Sequence, residues 1–252
     1  MGRQEHERAV RFRTARRDPG LTVVEGFHAL KHALRFGAEL VEAVAVDPAG
    51  LERLAAELAP DLSGDLAGRV EPVDAGTLAD LVPLVPRTGV VAIARRPRVD
   101  LAATLADPVP KPVVLLEQPR NMGNIGACIR VAAAADAAAV LSTGENDPWY
   151  PDAVRGAAGL HFALPVTAIE ELPESDRPLL AIDPEGEELE PAALPPRAIL
   201  AFGTERHGLS DDVFARADGR VAIPMRAGVS SLNLATSVAI VLFAMRLSHS
   251  RP

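Results

Sequence analysis

The chain has 252 residues, 48% of them hydrophobic, and its 26 lysines and arginines against 34 aspartates and glutamates leave a net charge of -8. That supply of apolar side chains can fill one large core or two of ordinary size, and two domains are the better expectation. A single cysteine, Cys128, excludes an internal disulfide and a multi-thiolate zinc site, while Arg130, Asp136 and Asn233 interrupt the longest apolar segments, so a soluble, cytoplasmic chain with no membrane partner is expected.

The first seventeen residues read as an arm, with arginines at 3, 8, 11, 13, 16 and 17 opposed only by Glu5 and Glu7. If a polyanion is met anywhere it is met here, although arginine dominates lysine throughout and charge alone leaves a merely solvated arm equally open. The runs LTVVEG, VEAVAV, GRVEPV and GVVAIA then read as strands, separated by helices at FHALKHALRFG, AGLERLAAELA and AGTLADLV. This alternation describes a compact α/β unit ending near residue 95. Prolines at 97, 108, 110 and 112 break the periodicity, and residues 99–111 read as a linker.

A second unit opens at VVLLEQ, followed by a helix from about residue 125, the strand AAVLS and a helix around DAVRGAAG. Strands are expected at PLLAID, RAILAFG and RVAIP, and a last helix at about 232 to 247 carries Leu234, Val238, Val241, Leu242 and Met245 on one side, the spacing of a packed face. The charge is divided unequally: residues 1–98 hold 14 basic and 14 acidic side chains, the remainder 12 and 20. Cys128 lies among Ala127, Ile129 and Val131, which fits a small core residue better than a nucleophile.

Three segments of the second unit can carry chemistry. In EQPRNMGNIGACIR, the residues Asn121, Gly123 and Gly126 match a dinucleotide-binding G-x-G-x-x-G except at its first position, with Glu145 about twenty residues on. The missing first glycine makes that match weak, and it does not explain Arg130 in the middle of an apolar helix, where an unpaired guanidinium is expensive to bury. FGTERHGLS follows an apolar strand with two glycines around Glu205; IPMRAGVSSLNLATSVAIVLF is a strand end, a loop of small residues and a helix. Such loops let backbone groups approach a flat ligand closely.

Together these segments resemble the SpoU/TrmH branch of the SPOUT methyltransferases. Asn124, Gly126 and Arg130 fit the family's first motif; Gly203, Glu205, Gly208, Leu209 and Ser210 its second; Ile223, Pro224, Met225, Ser231, Leu232 and Asn233 its third. RRDPGLTVVEGFHALKHAL resembles, more weakly, the N-terminal RNA-recognition domain of the rRNA-directed members, built like small kink-turn-binding ribosomal proteins. The sequence departs from the family at Ala235, where a serine is usual, and at Ala157, where R-A-S-A-G is usual.

The resemblance implies an α/β chain in two domains: an RNA substrate-binding domain at 1–98, and, after the linker, a trefoil-knot methyltransferase domain at 112–252 that forms a homodimer. It implies S-adenosylmethionine as cofactor, held at Gly203, Ile223, Met225 and Leu232, with Arg130, Asn124, Glu205, Ser231 and Asn233 in the catalytic machinery and no metal. RNA contacts are expected at Arg16, Arg17 and Arg155. Asn124, Asn233 and Ser231 are equally suited to capping helices. The activity implied is ribose 2'-O-methylation, of large-subunit rRNA first and of tRNA second, in a housekeeping or an antibiotic-resistance role. A dinucleotide-dependent oxidoreductase and a non-catalytic RNA-binding factor are the alternatives from other classes.

Overall fold

The computed structural model describes residues 2–62, 66, 68–204 and 208–249. The chain divides into two compact units, one of residues 1–98 with 149–163 and the other of residues 99–148 with 164–252.

The first unit begins with helix α1 (Arg3–Ala15), where the sequence reading expects an arm. Glu5 accepts a hydrogen bond from the Gly2 amide at 2.5 Å, starting the helix. Ala9, Phe12 and Ala15 go into the core. Arg8 is buried beside them, donating to Glu42 at 2.6 Å and also to Glu71, and Arg11 takes the other Glu42 oxygen at 2.9 Å. Four of the six arginines are thus ion-paired within the unit, since Arg16 in turn is bound to Glu25 and Arg3 to Glu7.

Then follow β1 (Leu21–Glu25), α2 (Phe27–Arg35), β2 (Leu40–Ala45), α3 (Pro48–Leu58), β3 (Glu71–Pro72), α4 (Ala75–Leu81) and β4 (Val90–Arg95). They build a four-stranded sheet in the order β1-β4-β2-β3, with β4 antiparallel to both β1 and β2. Asp47 and Asp74 cap α3 and α4 by accepting from backbone amides, as aspartate does at that position. β3 is only two residues long, because Pro72 has no N–H to extend the ladder.

The second unit starts inside the expected linker, with α5 (Leu101–Ala106). Its last carbonyls, which no helical amide can satisfy, are taken by Arg177, 4% exposed. That guanidinium donates to Leu105 O at 2.8 Å, Lys111 O at 2.9 Å, Asp107 O at 3.0 Å, Arg197 O at 3.1 Å and Thr104 O at 3.3 Å. β5 (Val113–Leu116), α6 (Met122–Ala134) and β6 (Ala139–Ser142) come next. α7 (Pro151–Gly156) and a 3-10 turn at Leu160–Ala163 belong to the first unit, where Thr22 Oγ1 donates to Trp149 O at 2.9 Å. Gly159 permits this packing: a Cβ there would lie 2.2 Å from the Ala29 carbonyl oxygen of α2.

β7 (Val166–Ala168), β8 (Leu179–Glu188), β9 (Ile199–Phe202), α8 (Asp211–Arg216), β10 (Gly219–Ala222) and α9 (Leu234–His249) complete the second unit. Its six strands run parallel in the order β10-β8-β9-β5-β6-β7. β5 is central and buried along its length, which is why its sequence is an unbroken apolar run rather than an alternation. Each such side chain contributes about 2 kcal/mol by leaving water. α6 and α9 pack side by side, burying Ile125, Cys128, Ile129 and Ala132 from one and Val238, Val241, Leu242 and Met245 from the other. Among the described residues no helix is long and apolar enough to cross a membrane.

Candidate active site

At the carboxyl ends of β9 and β10, beside the middle of β8, the second unit holds a pocket of about 210 Å3, close to where open parallel sheets bind ligands. Gly203, Ile223, Met225, Ser231 and Leu232, brought forward from the sequence, all line it. Gly203 follows directly on β9, and Thr204 and Gly208 pair with each other through hydrogen bonds of 3.1 and 3.0 Å. A Cβ on residue 203 would sit 2.1 Å from the Gly208 carbonyl carbon, so only glycine lets the two backbone segments close. Glu205 lies outside the described residues.

The asparagines of the first and third motifs meet. Asn233 Nδ2 donates to Asn124 Oδ1 at 3.2 Å across 109 positions of sequence, while Asn233 Oδ1 accepts from the Ala235 amide at 3.0 Å and so starts α9. The two roles weighed for Asn233, helix cap and site residue, are therefore compatible. At the start of α6 the cap is Asn121, whose side chain accepts from the Asn124 amide at 3.0 Å. Gly123 and Gly126 consequently lie within the helix, and no glycine-rich turn precedes it. The dinucleotide reading fails on that point, because its first two glycines must form the turn itself.

Arg130 is exposed on α6, and among the described residues its guanidinium has no hydrogen-bond or ion-pair partner. The cost of burial invoked from the apolar helix sequence is not incurred: the arginine occupies the solvent side of a helix whose other face is core. Cys128 is fully buried, as a small core residue.

The first unit holds the remaining expected residues. Arg155 donates to Glu25 Oε2 at 2.7 Å and to Asp152 Oδ1 at 2.8 Å, and Arg16 donates to Glu25 Oε1 at 2.6 Å. The Glu25 side chain, 1% exposed, is enclosed between the two cations. Arg17 is exposed.

Two features of the second unit have no motif to announce them. Strand β10 jumps register against β8, pairing Arg220 with Ala181 but Val221 with Glu187, so residues 182–186 have no partner on β10, and Asp183 is in the pocket lining. Asp183 Oδ1 accepts from Arg220 at 2.6 Å and from the Glu185 amide at 2.9 Å; the bond to Asp183 raises the Arg220 pKa. Glu117, at the end of β5, accepts from the Ser210 amide at 2.7 Å and from Ser210 Oγ at 2.6 Å, tying the end of the second motif to the central strand. An acidic residue directly after an apolar strand was the available signal.

The profile of the SpoU rRNA Methylase family matches residues 111–243. An uncharacterized tRNA/rRNA methyltransferase of Mycobacterium bovis is 33% identical over 208 residues, which cover 77% of this chain and 71% of that protein. A 23S rRNA (adenosine(1067)-2'-O)-methyltransferase of Streptomyces azureus is 28% identical over 239 residues, covering 88% of this chain and 84% of that one. In fold, the chain is similar to the SpoU methyltransferase AviRb of Streptomyces viridochromogenes, solved in complex with AdoMet, with a TM-score of 0.77 at 24% identity and 100% of both chains covered.

Proposed function

Because the chain belongs to the SpoU rRNA methylase family, we propose that it is an S-adenosylmethionine-dependent RNA ribose 2'-O-methyltransferase that acts as a homodimer on large-subunit rRNA. The observation that carries this reading is the contact between Asn124 and Asn233, which joins the first and third motifs beside a pocket lined by the second and third. The choice of large-subunit rRNA follows the Streptomyces azureus relative, which aligns along most of both chains.

The pocket residues suit the cofactor. Ile223, Met225 and Leu232 supply apolar walls for a planar base, and the close approach of Gly203 to the Gly208 backbone leaves backbone polar groups with no side chain between. When bound, the cofactor supplies a methyl group activated by its sulfonium charge.

The protein's own task is then to place a ribose hydroxyl and to stabilise the charge that develops on it. A guanidinium stays protonated in proteins, so Arg130 is no base. Its planar fork, with no carboxylate partner among the described residues, is available to an RNA phosphate and to the forming alkoxide. The hydroxyl proton passes to phosphate or solvent. Asn124 and Asn233, fixed on each other, orient the ribose, and Ser231 adds a hydroxyl at the pocket lining.

The dimer reading rests on α9. Opposite its packed face, Ile240, Phe243 and Leu247 share one side and are 36%, 38% and 65% exposed. A second copy covering this stripe explains why three large apolar residues stand in water. The trefoil knot is proposed for the segment from β9 to α9, whose two loops line one pocket before α9 returns onto α6. In the first unit Arg17, with Arg16 and Arg155 held on Glu25, faces the RNA.

Transfer of labelled methyl from S-adenosylmethionine to 23S rRNA, followed by mapping of 2'-O-methylated nucleotides, tests the proposal. Label confined to one ribose is expected. Binding of cofactor with no label in any RNA would leave a non-catalytic RNA-binding factor as the better account.

A further inference from the structure

The first unit contains a pocket that the methyl-transfer chemistry does not use. It measures about 610 Å3, within the range of roughly 300 to 1,000 Å3 common for ligand sites, and is lined by Arg13, Arg16, Arg17, Asp18, Pro83 and Tyr150 among others. From these residues we infer that it is a subsite for one single-stranded nucleotide of the RNA, stacking the base on Tyr150 and binding the adjoining phosphate with Arg13 and Arg17. The inference rests on the RNA-directed reading above.

The arginines divide into one structural and two available cations. Arg16 is held by Glu25 at 2.6 Å, and its guanidinium carbon lies 5.9 Å from the centroid of the Tyr150 ring, fixing a cation against the aromatic system. Arg13 uses Nε on the Ala9 carbonyl at 3.3 Å, which leaves its terminal amino groups unengaged. Arg17 is exposed, and among the described residues its side chain has no partner. The carboxylate in the lining, Asp18, accepts from the Gly20 amide at 2.7 Å and is occupied with its own turn. Two cations therefore face the cavity with one partly engaged anion against them.

The apolar side has the matching shape. Tyr150 is half-buried, and among the described residues its hydroxyl has no hydrogen-bond partner. Pro83 adds a second ring, and the neighbouring Leu84 and Val85 are 66% and 42% exposed. Aromatic faces interleaved with guanidinium forks are what sequence-tolerant single-strand sites use: every base has a π face, and every linkage a phosphate. An acidic peptide would require the cations and leave the rings without a purpose.

The test uses the full chain, labelled hexauridylate, and a ribose-phosphate hexamer without bases. Tyr150→Leu, which keeps an apolar side chain, is expected to weaken hexauridylate binding by at least about fivefold while leaving the abasic hexamer unaffected, since stacking is lost and phosphate binding is not. Arg13→Ala combined with Arg17→Ala is expected to weaken both probes and to flatten their salt dependence. Circular dichroism melts check that each variant keeps its fold. Absence of hexauridylate binding by the unaltered chain, or equal binding by all three proteins, overturns the subsite; tighter binding of hexaglutamate than of hexauridylate overturns it in favour of an acidic protein partner. Methyl transfer to 23S rRNA by the unaltered chain is scored separately, so the subsite can fail while the catalytic reading stands.

Discussion

Replacing Gly203 with alanine probes a close backbone approach in the pocket lining. The added Cβ would lie 2.1 Å from the Gly208 carbonyl carbon, 2.2 Å from its oxygen and 2.4 Å from the Leu209 nitrogen, all backbone atoms that no rotamer change can move. The two segments must separate, and the first bonds to break are those between Thr204 and Gly208, at 3.1 and 3.0 Å. At about 1 kcal/mol net for each hydrogen bond the cost is ~2 kcal/mol, on the order of 30-fold in an equilibrium constant. The cost is felt in folding if the separation reopens the core, and in binding if only the pocket lining shifts. Thermal unfolding and isothermal titration with S-adenosylmethionine, run on one preparation, capture both. An unchanged Tm together with a Kd within threefold of the unaltered chain would refute the claim that residue 203 must be glycine to close the site.

Other perturbations separate the remaining parts of the account. Arg177→Met keeps the apolar stem and removes the side-chain donor from the Thr104, Lys111 and Arg197 carbonyls, while Leu105 O and Asp107 O keep Arg197, so a loss of roughly 3 kcal/mol, or about 6 to 12 °C in Tm, is expected; a shift below 2 °C would mean that water replaces the guanidinium freely. Burial alone pushes the Glu42 carboxyl up, but the hydrogen bonds from Arg11 and Arg8 outweigh it and hold the pKa below its ordinary value. Because the folded pKa is the lower one, the stabilisation is complete above the unfolded value of about 4.3 and is lost as pH falls through the folded one. The Tm difference between the unaltered chain and Glu42→Gln should therefore be constant near neutrality and shrink in acid; a difference independent of pH from 7 to 3 would contradict this. Phe243→Glu places a charge on the exposed stripe of α9 and should convert the proposed dimer to monomer in sedimentation velocity; a monomeric unaltered chain would contradict the dimer, and a dimer that survives the substitution would move the interface elsewhere.

What the sequence disclosed and what it concealed follow from the range of the interactions involved. β1 and α2 were legible because local signals bound them: Gly26 and Gly37 adopt φ of 87° and 78°, the left-handed region that favours glycine, on either side of α2. β5 was legible as an apolar run, and α9 as a face of regular spacing. Helix α1 was not, because its polar residues satisfy one another only after folding, as Arg8 does with Glu42 and Glu71. The same limit applies to residues 149–163, whose place in the first unit depends on Gly159 meeting Ala29 and on Arg155 meeting Glu25, contacts with no local signature. In the candidate site, the second and third motifs were legible as loops of small side chains after strands, and Gly203 and Gly208 of the one share a pocket with Ile223, Met225, Ser231 and Leu232 of the other. Asp183 was hidden because the register jump in β8 that brings it there is a property of strand pairing. The exposed position of Arg130 was hidden too, since the sequence records an arginine among apolar neighbours and not which side of the helix it takes.

Single-turnover transfer of labelled methyl to 23S rRNA by Arg130→Ala, with cofactor affinity measured alongside, tests the central claim most directly. The account predicts a rate at least about 100-fold lower, corresponding to nearly 3 kcal/mol of transition-state stabilisation, and a cofactor Kd unchanged within twofold. A rate within tenfold of the unaltered chain would contradict it.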